Sequence, residues 1–300
     1  MQGADCLAVS DFGKIAVDCK NSSDQDTIYT IRDEYSHMPN DNGNSWRNLQ
    51  TVEAATEIIE ALAELDGAGV TELADHLDIS KSTVHSHLST LLEADYLVRS
   101  GNEYQLSYQF LLLGEYVRND SALFQFGRSR ANDVAIETGH YSHLYVEEKG
   151  LGINIYEAKG EKAGNYEYQS LKLQQREPLH VTASGKAILA CLPEKRVKEI
   201  IRRHGLDPYT ENTITSEKEL FEELDTISDQ GYAINDEEEV EGFRAVAAPV
   251  QIKGAVIGSL SVSGPETIFS GYYLTDELPE RLVNATNLIE VDINMSIDTR

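Results

Sequence analysis

Three hundred residues, 41% of them hydrophobic, suffice for two packed cores. No apolar run reaches the ~18 residues of a membrane span and no start resembles a signal peptide, so the expectation is a soluble, cytoplasmic chain with no membrane partner. Fifty-one Asp and Glu against 25 Lys and Arg give a net charge of −26, which argues against simple electrostatic capture of nucleic acid, and three scattered cysteines (Cys6, Cys19, Cys191) indicate neither a disulfide framework nor a zinc cluster.

Residues 1–45 read as lying outside the fold. Residues 9–17 are weakly patterned, and the run NDNGNS at 40–45 is polar. Either this is a disordered tail or translation starts at Met38. Residues 51–65 repeat Val52, Ala55, Ile58, Ile59, Leu62 and Leu65 at helical spacing, and Gly67-Ala68-Gly69 ends that helix.

Residues 70–97 (VTELADHLDISKSTVHSHLSTLLEADYL) read as two short helices around a tight turn. Thr71 caps the first, whose Leu73, Ala74 and Leu77 share a face. Asp78 and Ile79 turn the chain, and Ser80 caps the second, in which Val84, Leu88, Leu91 and Leu92 recur at helical spacing. Lys81, Ser82, Thr83, His85, Ser86 and His87 then fall near its start, largely on the polar side, where short hydrogen-bonding side chains meet phosphates and base edges in a major groove. Alone, this pattern equally fits an ordinary helical hairpin. The strand-turn-strand pattern that follows, residues 96–99, 100–102 and 103–106, supplies the wing of a winged helix-turn-helix and adds Arg99. The candidate DNA-contacting set is therefore Thr71, Ser80, Lys81, Ser82, Thr83, His85, Ser86, His87 and Arg99.

Charge opposes this reading. Between residues 46 and 110, three basic residues (Arg47, Lys81 and Arg99) stand against eleven acidic ones. Either the head no longer binds DNA, or the protein works in molar salt, where repulsion is screened within ~3 Å. The acids spread over the whole chain instead of forming a tail, which favours the second reading and an extreme halophile as the source.

Residues 110–117 (FLLLGEYV) continue as a helix and lead into another at 121–138. Leu111, Leu112, Leu113, Tyr116 and Val117 are too apolar for a solvated linker, so they are expected to pack on another subunit or on the first helix. A dimer follows, since helix-turn-helix proteins read paired half-sites. Beyond residue 141 the pattern changes. Strands at 143–148 and 152–157 flank a Lys149-Gly150 hairpin turn, and 166–173 is a further candidate strand. Helices follow at 182–191, 194–204 and 216–230, the last opening on a Ser216/Glu219 capping box. Strands at 232–236, 244–251 and 255–263 and a helix at 276–293 complete an α+β domain with an antiparallel sheet.

Three blocks carry a family resemblance: PLHVTASGKAILACLP at 178–193, QGYAINDEEEVEGFRAVAAPV at 230–250 and IGSLSVSGP at 257–265. With the helix-turn-helix ahead of them, the chain resembles the IclR family of transcriptional regulators from about residue 51 to 297. The resemblance implies a winged helix-turn-helix domain at 46–108, a linker helix at 109–122 used in dimerisation, and a GAF-like α+β effector-binding domain at 123–300. It also implies a homodimer or dimer of dimers, double-stranded operator DNA, and a small-molecule effector that is an organic acid or aromatic metabolite. The backbone at Ala183 and Ser184 and the side chains of Asn235, Ala245, Ser261 and Ser263 would face the effector cavity. Ser261 and Ser263 alternate on one strand and so share a face. Relatives often have Asp at the position of Asn235 and Cys at that of Ala245, which allows an effector larger or more apolar than glyoxylate or pyruvate. They often carry Arg at the position of Ser86, which leaves Lys81 as the one formal cation in the recognition helix.

Other chemistry is weaker. The Ser184-Gly185-Lys186 triplet lacks the glycine-spaced loop of a P-loop. Cys191 sits alone in an apolar helix, as an inert buried thiol does. His140, His143 and His180 read as separate surface histidines instead of metal ligands, and the acids at 236–239 with Glu241 read as a charged loop. No enzyme activity, cofactor or metal is expected. The alternative to a regulator is a ligand-binding sensor or partner protein that has lost specific DNA binding.

Overall fold

A computed structural model describes residues 49–164 and 176–298. The expected strand at 166–173 lies outside these residues. Helix α1 (Gln50–Glu64) buries Ile58, Ala61 and Leu62. Val52, placed on the buried side by periodicity, is more than half exposed because its turn precedes the stretch that packs on the other helices. Gly67 is left-handed at φ 97°, and a Cβ there would stand 2.8 Å from Gln105 Cγ.

The Gly-Ala-Gly triplet does more than end a helix. Ala68–Gly69 form strand β1, which pairs antiparallel with a wing strand and sets Ala68, fully buried, opposite Tyr104. Helix α2 (Val70–Leu77) therefore starts directly from the sheet with Gly69 as its N-cap residue. Thr71 lies within the first turn and makes no cap hydrogen bond, contrary to expectation. Asp78 turns the chain in the left-handed region (φ 52°). Helix α3 (Lys81–Glu93) is capped by Ser80, whose Oγ accepts the Thr83 N–H at 3.1 Å. The wing strands β2 (Leu97–Ser100) and β3 (Glu103–Leu106) complete a three-stranded sheet of order β1-β3-β2 over a core of Ile58, Leu62, Leu73, Val84, Leu88 and Tyr104.

Helix α4 (Gln109–Asp120) has no buried residue. Its first turn is anchored by an aromatic pair, with Phe110 edge-on to Tyr96 at 5.4 Å. Ser121 then caps α5 (Ala122–Thr138), and left-handed Gly139 closes it.

The second region is a six-stranded antiparallel sheet. Its strands in chain order are β4 (Tyr141–Glu148), β5 (Leu151–Lys159), β6 (Arg176–Pro178), β7 (Ala233–Asp236), β8 (Phe243–Ile252) and β9 (Ala255–Pro265). Their spatial order is β6-β5-β4-β9-β8-β7. Two hairpins turn through paired positive φ angles, at Lys149-Gly150 (57° and 88°) and Lys253-Gly254 (50° and 81°), a geometry that suits the right-handed twist of the strands.

Alternation sorts the sheet into two faces. Leu144, Val246, Leu260 and Val262 pack beneath α5 and the last helix, α9 (Leu278–Asp298), which a π-helical turn at Tyr273–Glu277 precedes. Tyr145, Ala233 and Ala247 face a layer formed by α6 (Ala183–Leu189), α7 (Glu194–His204) and α8 (Glu217–Gln230). The molecule is thus a winged helix-turn-helix joined to an α+β domain with an antiparallel sheet.

Candidate nucleic-acid interface and effector cavity

The start of α3 is a ladder of hydroxyls. Ser80 Oγ lies 2.8 Å from both Ser82 Oγ and Thr83 Oγ1, Ser86 donates to the Ser82 carbonyl at 3.0 Å, and Thr90 donates to that of Ser86 at 3.0 Å. Donation inward leaves the hydroxyl lone pairs available to donors on a partner. Lys81, Ser82, His85 and Ser86 are exposed, whereas Thr83 and His87 are half-buried against the core. Thr71 is exposed at the start of α2. On the wing, Arg99 lies 5.4 Å over the Tyr104 ring and donates through Nε to the Gly101 carbonyl at 2.9 Å, which steadies the guanidinium.

The α6-facing side of the sheet is small and polar at its centre. Cross-strand partners share a face, so His143 opposite Ser261 and Ala247, and Tyr141 opposite Ser263 and Ala245, form two rows across β4, β9 and β8. Ser261 and Ser263 are both buried, and their predicted common face is the one beneath α6. Ala183 and Ser184 open α6, where the Thr182 hydroxyl accepts the Gly185 N–H at 2.9 Å and the Ser184 carbonyl accepts from Ser259 Oγ at 3.1 Å. Asn235 is buried beside them and both ends of its amide serve the backbone. Nδ2 donates to the Val181 carbonyl at 2.6 Å, and Oδ1 accepts the Glu238 N–H at 2.9 Å.

Two sequence expectations fail here. His140, His143 and His180 are buried, not surface residues. Burial, with Lys162 nearby, lowers the His140 pKa, and burial lowers that of His180 although its ring nitrogen meets the Asp207 carbonyl at 3.1 Å. His143 instead pairs with Glu157 at 3.3 Å on this sheet face. The acidic loop is likewise more than a solvated run. Lys186, from the Ser-Gly-Lys triplet, is 1% exposed and holds Glu238 at 2.6 Å and Glu223 at 3.1 Å. Asp236 and Glu237 meanwhile hold Arg244 at 2.5 and 3.3 Å. Burial raises the Glu238 carboxyl above its usual range despite the pull of Lys186.

Local sequence could not name the rest of this face. Tyr145 donates to Glu177 Oε2 at 2.8 Å, its ring lying where a Cβ on Gly152 would collide with it, and burial first, then Glu177, pushes its hydroxyl well above the usual pKa. Cys191 lies just beyond α6, and burial lifts its thiol to about 11. Among the described residues, no three His, Cys, Asp or Glu side chains are placed to hold a metal ion.

Comparison with known proteins finds matches to both regions of the chain. Residues 51–101 match the IclR helix-turn-helix domain, and residues 121–291 match the C-terminal region of the bacterial transcriptional regulator IclR. The chain is 36% identical over 247 residues to a probable HTH-type transcriptional regulator ArcR of Halobacterium salinarum, covering 82% of this chain and 94% of that protein. It is 33% identical over 217 residues to the regulator KdgR of Dickeya chrysanthemi, covering 71% and 70% of the two chains. Among solved structures, the Thermotoga maritima IclR superposes with a TM-score of 0.68 at 26% identity, covering 82% of this chain and 99% of that one. An IclR homologue from Microbacterium hydrocarbonoxydans, complexed with 4-hydroxybenzoate, shares the fold at a TM-score of 0.70 and 19% identity, over 82% and 99%.

Proposed function

The chain belongs to the IclR family of transcriptional regulators, and on that premise we propose that a dimer grips operator DNA through α3 and the wing while the cavity beneath α6 reads a small metabolite. The family consists of regulators, not enzymes. In this reading residues 46–108 bind DNA, 109–122 link, and 123–300 sense the effector. Thr71, Ser80, Lys81, Ser82, Thr83, His85, Ser86, His87 and Arg99 contact the duplex. Ala183, Ser184, Asn235, Ala245, Ser261 and Ser263 line the cavity, and the oxygen functions of an organic acid or aromatic metabolite match its hydroxyls.

One observation carries the DNA half. The outer side of α3, with Lys81, Ser82, His85 and Ser86, is exposed behind its Ser80 cap on a helical core with a wing attached. Hydroxyls and one cation suit close contact more than long-range attraction. The exposed apolar residues of α4 supply the dimer contact. No helix among the described residues is long and apolar enough to cross a membrane, and the protein is taken to work in a cytoplasm of high salt.

The test is binding to the promoter of its own or the adjacent operon in ~2 M KCl, with and without candidate metabolites. Sequence-selective binding is expected, and Ser82→Ala with Thr83→Ala weakens it while the dimer persists. An absence of selective binding under every such condition sinks the regulator reading. It would favour a sensor that has lost its DNA partner, the second reading that the acidic head supports.

A further inference from the structure

The β4–β5 half of the same sheet face holds an amide with an unanswered donor. Asn154 lies opposite Tyr145, and Tyr145 opposite Ser259, so Asn154 shares the face that carries His143 and Ser261. It is 95% buried. The Tyr156 N–H, 3.3 Å away, fixes its Oδ1 as the acceptor, and Nδ2 then finds no partner among the described residues. A buried donor left unmatched costs about 1–3 kcal/mol, so such groups commonly await a water or a ligand. Two strands away, Ser261 carries a hydroxyl for which no partner is found among the described residues. Two interstrand steps and a two-residue offset put their backbones roughly 12 Å apart. A molecule about six heavy atoms long, lying over His143, would meet both.

We propose that Asn154 is a specificity residue of the effector cavity, donating to an oxygen at the far end of an effector whose near end meets Ser261. The ligand class is a compact oxygenated molecule, a hydroxy acid of about six atoms' span with hydrogen-bonding oxygens at both ends. This rests on the cavity reading above and adds a residue and a chemical class to it. A cavity built to hydrogen-bond an oxygen rejects the analogue that lacks it, because the donor returns to its unmatched state.

The experiment uses the full chain in ~2 M KCl and calorimetric titration with two matched pairs, gluconate against hexanoate and 4-hydroxybenzoate against benzoate. The oxygenated member of at least one pair is expected to bind on the order of 10-fold tighter. Asn154→Leu removes that preference, and so does Asn154→Asp, which keeps an acceptor for the Tyr156 N–H. Preference that persists in both variants overturns the assignment, and so does the failure of every probe to bind or to be distinguished. Ser261→Leu separates the two levels. If it abolishes binding while the Asn154 variants keep their preference, only the role of Asn154 falls; if it leaves binding intact, the cavity reading falls as well.

Discussion

Lys186 stands between two carboxylates, and one of them, Glu238, has an Oε2 that is buried without a partner among the described residues. The two sides of this pair are therefore unequal. Lys186→Met strands Glu238 in a low-dielectric site and should destabilise the fold by about 3–5 kcal/mol, the range for breaking a buried pair from one side. Glu238→Gln leaves Lys186 with Glu223 and should cost distinctly less. The pH dependence follows from the raised Glu238 carboxyl. A group whose folded pKa exceeds its unfolded value contributes stability that is fully present below the unfolded value and is lost as pH rises through the folded one. Wild type should thus lose part of its thermal midpoint as pH climbs from about 4.3, and Glu238→Gln should lack that part. Equal pH slopes in the two chains, followed by circular dichroism, would refute the assignment. Nothing local reveals this pair, whose members lie 52 residues apart, nor does it reveal that Asn235 braces Val181. Ser261 and Ser263 were legible because strand alternation alone puts them on one face. Asn154 was not, because its partner depends on a bulge that shifts the β4–β5 register after Leu144.

Elements with strong periodicity or a marked turn were legible: α1, the helix-turn-helix, the wing and the Lys149-Gly150 hairpin all stand where the residues put them, to within a residue or two. Two- and three-residue strands carry no period, so β1 and β6 could be found only from their pairing. The same pairing corrects the start of α2, because Gly69 is held by the sheet before Thr71 can cap. Helix α4 was legible in the opposite sense, as apolar residues with nothing to cover them. Leu111, Leu112, Tyr116 and Val117 are all more than half exposed. If a second copy covers them, Leu112→Lys with Val117→Lys should shift the chain from dimer to monomer in sedimentation velocity at high salt. Each half-site would then act alone, and operator affinity should fall by an order of magnitude or more. The helical signal should stay unchanged, since neither side chain packs within the chain. A double variant that sediments as wild type removes α4 from the subunit contact.

At the scale of the whole molecule, charge and function pull in opposite directions. A net charge of −26 repels a polyanion at low ionic strength and also strains the compact state through self-repulsion, and salt screens both effects. Ordinary DNA-binding proteins lose affinity steeply with salt because each phosphate contact releases counterions, with a slope near −0.9 per contact. Between residues 49 and 110 only Lys81 and Arg99 are basic, so a dimer brings about four such cations to the duplex. The logarithmic slope of affinity against salt should therefore be no steeper than about −4. Cation uptake by the surrounding acids should flatten it further. Fluorescence anisotropy with operator DNA between ~0.5 and ~3 M KCl measures this directly. A shallow or inverted slope, with a thermal midpoint that rises over the same range, is what a reading head built on hydroxyl and backbone contacts requires. A slope near −10 would mean that many more cations reach the phosphates than α3 and the wing supply, and the interface would have to be sought on another face of the molecule.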